Sequence, residues 1–553
     1  MDWIKRQAFN LKAVHLVALL IIASAVYLNS LPNNFNFDDG IFVAENSSVH
    51  GFSLGNLKSV FTSVPNQTEY LPVKDLTYML DYDIWKLNPL GYHITNLVFY
   101  LLVIMVLYFL FLEIFSMGGG PGGPAEWAAF LAAAIYAVHP AHVESVAGVS
   151  QRKDVVSGFF YFSGLLVYLK GLKPNHEKPA ASHGTNISWR HYALSLFLLV
   201  LAVLSKMTAV AMPGVVLLAE LYFGKGPLGK KLMRAAPFFI IAGGLAALGI
   251  YIAKYTGVYS TAASGPLQRI PGALEAFFVY LKILLLPYPL KVWYKFTPAQ
   301  SFIGALPVLA FWGLVFLTAV IVYLARRGLK AISFGAAWML ISLGPVVGLI
   351  PTTVVIAERY LFVPSVGFCL IAGWALSKAT EAKPVYKRAA IAVAAMIMAA
   401  FSLISFERNF DWKDNATLLE SDLGHSPDLI KTYSSLGRIY FSRGDYRIGL
   451  AYFLKERQLQ PNSAEYDFFT ASYLYRTGQI GPALEILEGL KPQMGGEVAD
   501  IDYMCGKIYE LRGNRQKAIE NYQKALGAGI QMGSFPKADS RAALARLGAV
   551  PAP

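Results

Sequence analysis

Apolar positions along the chain come in runs of helical length rather than in strict alternation. The first run covers 13–29, and comparable ones follow at 94–115, 127–138, 155–170, 192–204, 208–223, 235–253, 271–287, 304–325, 331–350, 359–377 and 389–406. A helix needs about 17 to 25 mostly apolar residues to cross the hydrocarbon of a bilayer, so each run is a candidate span, the shorter ones with polar flanks at the headgroups. The first run follows Lys5, Arg6 and Lys12 and lacks a small-residue cleavage site, which predicts a retained helix with a cytoplasmic N-terminus. In the following loop, 30–92, "GNLKSVF" and "YLPVKDLTYMLDYDIWKL" have helical spacing with one apolar side. That pattern predicts short helices lying on the membrane surface.

From about residue 428 the pattern becomes polar, helical and punctuated by aromatic residues, and it repeats. "GDYRIGLAYF" (Gly444 to Phe453), "GQIGPALEIL" (Gly478 to Leu487) and "GNRQKAIENY" (Gly513 to Tyr522) recur about every 34 residues, the period of tetratricopeptide repeats. The small residues Gly437, Ala471 and Gly506 recur in each first helix, and Gly449, Ala483 and Ala518 in each second helix. Stacked repeats form a superhelix whose concave face often binds peptide, and three is about the minimum for stability. A spacer that binds nothing is the alternative reading.

Composition fits an all-α, polytopic membrane protein: 55% of the 553 residues are hydrophobic, 15% are charged, and the mean hydropathy is +0.45. The net charge of +13 would suit nucleic acid, but its distribution follows membrane topology, and no nucleic-acid partner is expected. Lys170, Lys173, Lys178 and Arg190 fill one loop; Lys225, Lys230, Lys231 and Arg234 another; Arg326, Arg327 and Lys330 a third; Lys378, Lys383, Lys387 and Arg388 a fourth. If all the runs crossed, the basic loops at 224–234 and 326–330 would face opposite sides. The run at 271–287, with Glu275 and Lys282 between prolines, therefore reads as interfacial or re-entrant. About eleven transmembrane helices remain. Loop 30–92, with seven Asp and Glu against three Lys, then faces outward, as does the C-terminal part. The expected division is a membrane domain over 1–410, a linker over 411–427 and a short exoplasmic repeat solenoid over 428–553 that ends in a capping helix, "DSRAALARLG". Cys369 and Cys505 lie in different regions and support neither a disulfide nor a metal site.

Polar residues at the outer ends of the spans carry the candidate chemistry. "NFDDG" places Asp38 and Asp39 just beyond the first span. "YAVHPAHVESVAGVSQRKD" crowds His139, His142, Glu144, Arg152, Lys153 and Asp154 into one outer turn, "LSKMT" adds Lys206, and "AERYLFVPS" adds Glu358 and Arg359. A charge at the centre of a span costs roughly 2.5 to 3.5 kcal/mol, so several on one side suggest a shared polar cavity, although each could instead anchor a helix end. Read as one site, the cations hold a lipid-linked phosphate while a carboxylate takes the proton of an acceptor hydroxyl. That division of labour suits sugar transfer from a polyprenyl phosphate. The pair His139-x-x-His142 lacks a further clear ligand; no cofactor is certain, and a divalent metal stays open.

"FNFDDGIFVAENSSV", "LNPLGYHITNLVFYLL", "YAVHPAHVESVAGVSQRKDVV", "LSKMTAVAMP" and "AERYLFVPSVGF", followed by the repeats, resemble the transmembrane and tetratricopeptide-repeat (TMTC-like) O-mannosyltransferase family of GT-C glycosyltransferase fold. The resemblance covers nearly the whole chain in order. It implies an inverting transferase that moves a sugar, mannose in eukaryotic relatives, from a polyprenyl-phosphate donor to Ser or Thr of a protein on the exoplasmic side. Asp38 and Asp39 would be the catalytic acids, with Asp38 favoured as base. His139, His142, Glu144, Arg152, Asp154, Lys206 and Arg359 would contact donor phosphate or substrate. Two positions depart from the family pattern: Leu71 and Met207 stand where an Arg and a Glu are usual. The short chain suggests a bacterial inner-membrane protein with a periplasmic repeat domain and an undecaprenyl-phosphate sugar; the endoplasmic reticulum with a lumenal repeat domain is the alternative. The Asn-x-Ser/Thr triplets at Asn46, Asn66, Asn186 and Asn415 do not decide the compartment. Two rival functions stay open: a lipid-linked glycan ligase or polymerase, and a non-enzymatic scaffold that presents the repeats.

Overall fold

Every element described is helical, as the long apolar runs dictate. The computed structural model describes residues 2–64, 69–118, 125–172, 187–255, 265, 267–350, 354–381, 383–461, 463–494, 498–529 and 536–549. Lys173, Lys178, Asn66 and Asn186 lie outside the described residues. The chain divides into two compact units, Met1–Leu418 and Leu419–Pro553. The stretch expected as a linker carries a helix, Asn415–His425.

The first unit is an integral membrane body. Among the described residues, six helices are long and apolar enough to cross a bilayer: Leu11–Ser30, Pro89–Met117, Val149–Leu172, Leu228–Ile252, Ala305–Arg326 and Pro384–Asp411. Five shorter apolar helices accompany them, and Ile270–Leu285 belongs to neither group. Pro89–Met117 starts where Asn88 caps it, the side chain accepting from the Leu90 N–H at 3.2 Å, with proline in its first turn. It packs against Arg152–Leu172 and Ala125–Val138 around a fully buried core that includes Tyr100 and Tyr136. The Tyr100 hydroxyl donates to the Tyr136 carbonyl at 3.1 Å, so the buried phenol is satisfied.

The first loop is tied to the end of the last long helix. Asn34 N–H donates to the Lys413 carbonyl (2.9 Å), Asn33 Nδ2 to the Asn409 carbonyl (3.1 Å) and Asn36 Nδ2 to the Trp412 carbonyl (2.5 Å). In return, Asn409 Nδ2 donates to the Val26 carbonyl at 2.7 Å.

The expected helix in this loop forms over Pro72–Trp85, and it buries charged as well as apolar side chains. Lys74, Asp75 and Asp81 are buried against protein, whereas Leu80 and Ile84 are 51% and 62% exposed. Charged groups held this deeply are stable only when paired, and Lys74 and Asp81 both have ion-pair partners.

Among its described residues, the second unit has three helical hairpins: Ile430–Ser442 with Tyr446–Leu459, Glu465–Arg476 with Ile480–Leu490, and Ala499–Leu511 with Arg515–Gly527. A further helix, Pro536–Arg546, packs on the last of them. Small residues permit the close approach. A Cβ on Gly506 would sit 2.7 Å from the Tyr522 ring, and one on Gly437 would sit 2.7 Å from Phe453. Gly506→Val should therefore overpack the hairpin and cost about 1–3 kcal/mol, read as a lower unfolding midpoint for this unit in denaturant. An unchanged midpoint would show that Tyr522 yields freely.

Candidate active site

Helix ends and connecting turns of the first unit build the site, beginning with a strained turn. Phe37 has φ of +50°, a left-handed conformation uncommon outside glycine and costly for a bulky residue. Its N–H donates to the Asn415 side chain, and its ring lies 6.2 Å from that of Trp293. The two following carboxylates meet different surroundings. Asp39 is fully buried; Oδ1 accepts from the Ser150 N–H at 2.6 Å and Oδ2 from the Asn36 N–H at 2.9 Å. Asp38 is half-buried, and its carboxylate makes no hydrogen bond among the described residues. The charges acting on it are Lys153 and Arg359, opposed by Glu69 and Glu144.

Burial raises both acids. Asp38 is held above its ordinary value despite the attraction of Lys153 and Arg359. Asp39 is pushed up to about 6 by burial, against the pull of its backbone N–H partners. The linkage sign follows: folding favours protonated Asp39, so this contribution is complete below the unfolded value near 3.8 and is lost as pH rises through about 6. The loss is roughly 3 kcal/mol at about 1.4 kcal/mol per unit. Asp39→Asn, which cannot ionise, should flatten the fall in unfolding temperature between pH 4 and 7; an unchanged slope would assign that fall to other groups.

The charges that act on Asp38 belong to a network of ion pairs. Glu144, 1% exposed, accepts from the Arg359 N–H at 2.9 Å and pairs with its guanidinium. Asp154 pairs with Lys206, whose ammonium lies 5.4 Å from the Tyr360 ring centre. Lys153 donates to both oxygens of Glu69, at 2.9 and 3.1 Å. Lys74 reaches the same Glu69 at 3.3 Å and Asp75 at 3.3 Å. The expected residues Asp38, Glu144, Asp154, Lys206 and Arg359 thus act electrostatically on one another or pair within one cluster.

Arg152, His139 and His142 are instead absorbed into the interior. Arg152 is fully buried: it pairs with Asp81 at 2.5 Å, donates to Asn96 Oδ1 (2.7 Å) and the Tyr92 carbonyl (2.8 Å), and lies 4.7 Å from the Tyr78 ring centre. His139 donates from Nε2 to the Leu284 carbonyl (3.0 Å) and accepts at Nδ1 from the Ala141 N–H (3.2 Å), which fixes one neutral tautomer. Burial pushes it down to about 4, so it carries no charge for a phosphate at neutral pH. His142 is spoken for by the Tyr136 carbonyl and the Ser365 hydroxyl, both at 2.9 Å. Among the described residues, no three His, Cys, Asp or Glu are grouped to hold a metal ion.

Glu69 and Lys74 are absent from the sequence-derived site, and Lys153 has no assigned contact in it. A signal existed: Lys74, Tyr78 and Asp81 lie at i, i+4 and i+7, one helical face, and that face is buried. Leu71, at the position of the missing family arginine, is buried; Lys74, one turn on, brings an ammonium to the cluster.

No protein-family profile matches the chain. In sequence it is 25% identical over 534 residues to "Protein O-mannosyl-transferase TMTC3" of Homo sapiens, covering 88% of this chain and 56% of that protein. It is 26% identical over 502 residues to the Mus musculus protein of the same name, covering 83% and 52%. The chain thus spans about half the length of these curated relatives. Among solved structures, the Archaeoglobus fulgidus oligosaccharyltransferase tethered to an acceptor peptide gives a TM-score of 0.43 at 14% identity, covering 79% of this chain and 60% of that one. ArnT from Cupriavidus metallidurans bound to undecaprenyl phosphate gives 0.39 at 13% identity, covering 97% and 89%. Both likenesses are loose; in sequence, over most of its length, the chain is similar to proteins named O-mannosyl-transferases.

Proposed function

We propose that the first unit is a GT-C type glycosyltransferase that moves a sugar from a polyprenyl-phosphate donor to a Ser or Thr hydroxyl of a protein on the exoplasmic side. The observation that carries this reading is the contrast between the adjacent acids. Asp39 is locked by two backbone N–H groups, while Asp38 is half-exposed, unbonded and faced by Lys153 and Arg359. A general base needs that accessibility, and a carboxylate whose burial raises its proton affinity is the better base.

In the proposed step the acceptor hydroxyl gives its proton to Asp38 as its oxygen attacks the anomeric carbon. The bond from that carbon to the phosphate oxygen breaks, and the electron pair leaves with the phosphate. Configuration inverts because attack and departure lie on opposite faces. Negative charge then grows on the departing phosphate, where Lys and Arg at the cluster stabilise it. Asp39 is a positioning residue, joining the acidic turn to Ser150. Eleven crossings require all five shorter apolar helices to span, with Ile270–Leu285 remaining interfacial. The hairpins of the second unit read as a tetratricopeptide solenoid suited to a peptide acceptor.

The test uses purified protein in detergent, synthetic mannosyl and other glycosyl polyprenyl phosphates, and a Ser/Thr-rich peptide, with release of polyprenyl phosphate measured. Peptide-dependent release supports the reading. Release that needs a saccharide acceptor instead assigns the ligase. A panel of donors that all stay intact, although the protein is folded, removes the transferase and leaves the scaffold.

A further inference from the structure

Among the described residues, the ion-pair network that acts on Asp38 has no surplus cation for an incoming anion. The cations Lys74, Lys153, Lys206 and Arg359 face the carboxylates of Glu69, Asp75, Glu144 and Asp154, each within an ion pair, and Asp38 adds a further negative group. A phosphate entering this cluster meets repulsion unless one carboxylate withdraws. The four paired carboxylates are not equally fixed. The side chains of Asp75, Glu144 and Asp154 are 2%, 2% and 3% exposed, whereas that of Glu69 is 29% exposed. Glu69 Oε1 also occupies a point on which two ammoniums converge, Lys153 at 2.9 Å and Lys74 at 3.3 Å. Both ammoniums lie over one ring, Phe42, at 5.1 and 4.1 Å from its centre. Lys74 shares its ammonium between Glu69 and Asp75, while Lys153 turns toward both oxygens of Glu69.

We infer that the Glu69 carboxylate is a built-in competitor for the donor: it occupies the anionic-oxygen position between Lys74 and Lys153 that a polyprenyl-phosphate oxygen takes when Glu69 swings out. The inference rests on the proposed donor chemistry. It adds that donor affinity is set by an internal anion, which favours ligands able to supply a replacement charge. A neutral polyprenol cannot displace Glu69, and a phosphate can.

The experiment measures binding of undecaprenyl phosphate, and of undecaprenol as the neutral control, to full-length protein in lipid nanodiscs. Wild type, Glu69→Gln, Glu69→Asp and Lys153→Met are compared, with unfolding temperature as the folding check. Removing one competing charge-assisted contact should tighten phosphate binding by about tenfold in Glu69→Gln. Glu69→Asp, too short to hold both ammoniums, should fall between, and Lys153→Met should bind more weakly than wild type. Undecaprenol binding should not follow this order. Equal phosphate affinity in wild type and both Glu69 variants overturns the inference while leaving the donor reading intact. Phosphate binding no stronger than undecaprenol binding in every variant overturns both.

Discussion

Asp38→Asn is expected to reduce glycosyl transfer by about 10²- to 10⁴-fold, the usual contribution of a general base, with the unfolding temperature little changed. The separation of effects follows from geometry. Asp38 makes no hydrogen bond that the amide would break, so the substitution removes basicity and leaves the turn in place. The pH profile gives a second readout. Because burial holds Asp38 above its ordinary value and Asp39 titrates near 6, activity should fall on the acid side with a midpoint above 3.8. The two acids interact, so that midpoint belongs to the pair. Asp39→Asn should shift the acid limb, and Asp38→Asn should leave no active enzyme whose limb could be measured. Transfer at the wild-type rate in Asp38→Asn would remove this residue from the chemistry.

Arg152→Met carries the second large expectation, and it concerns stability. Asp81 is 2% exposed and would lose its guanidinium partner, while Asn96 Oδ1 and the Tyr92 carbonyl would lose donors. Breaking a buried pair in this way costs about 3–5 kcal/mol, because an uncompensated charge stays behind. Pairing the change with Asp81→Asn should recover part of the loss, since the stranded charge then disappears. A donor-binding role predicts a different pattern: a stable Arg152→Met protein with a raised KM for the lipid-linked sugar. Thermal unfolding beside donor kinetics separates the two.

The membrane body was largely legible because lipid imposes a length and an apolarity that composition shows directly. The periodic glycines revealed the hairpins for a similar reason: Gly506 must admit Tyr522, and only a small residue does. What the sequence hid was the direction of side chains near the interface. In Pro72–Trp85 an apolar stripe is visible in the sequence, but not that Lys74, Asp75 and Asp81 are buried in ion pairs. Motif proximity misled in the opposite sense. Arg152 and Asp154 are two residues apart on one helix, yet one is drawn toward Asp81 and the other toward Lys206. Likewise, His139 and His142 are adjacent in chemistry on paper, but backbone carbonyls claim their ring nitrogens. Nothing local in the sequence announces partners that lie 145 positions away, as Leu284 does from His139.

The asparagine ties between the first loop and residues 409–413 set an order of events during biosynthesis. The acidic turn emerges with the first helix, but its carbonyl partners are made more than 370 residues later. Contacts of such sequence separation form late, after the loop between them has closed. A nascent chain would thus carry its acids in an unassembled turn until translation reaches the last long helix, and a ribosome stalled before residue 409 would display a chain whose acidic turn lacks its carbonyl partners.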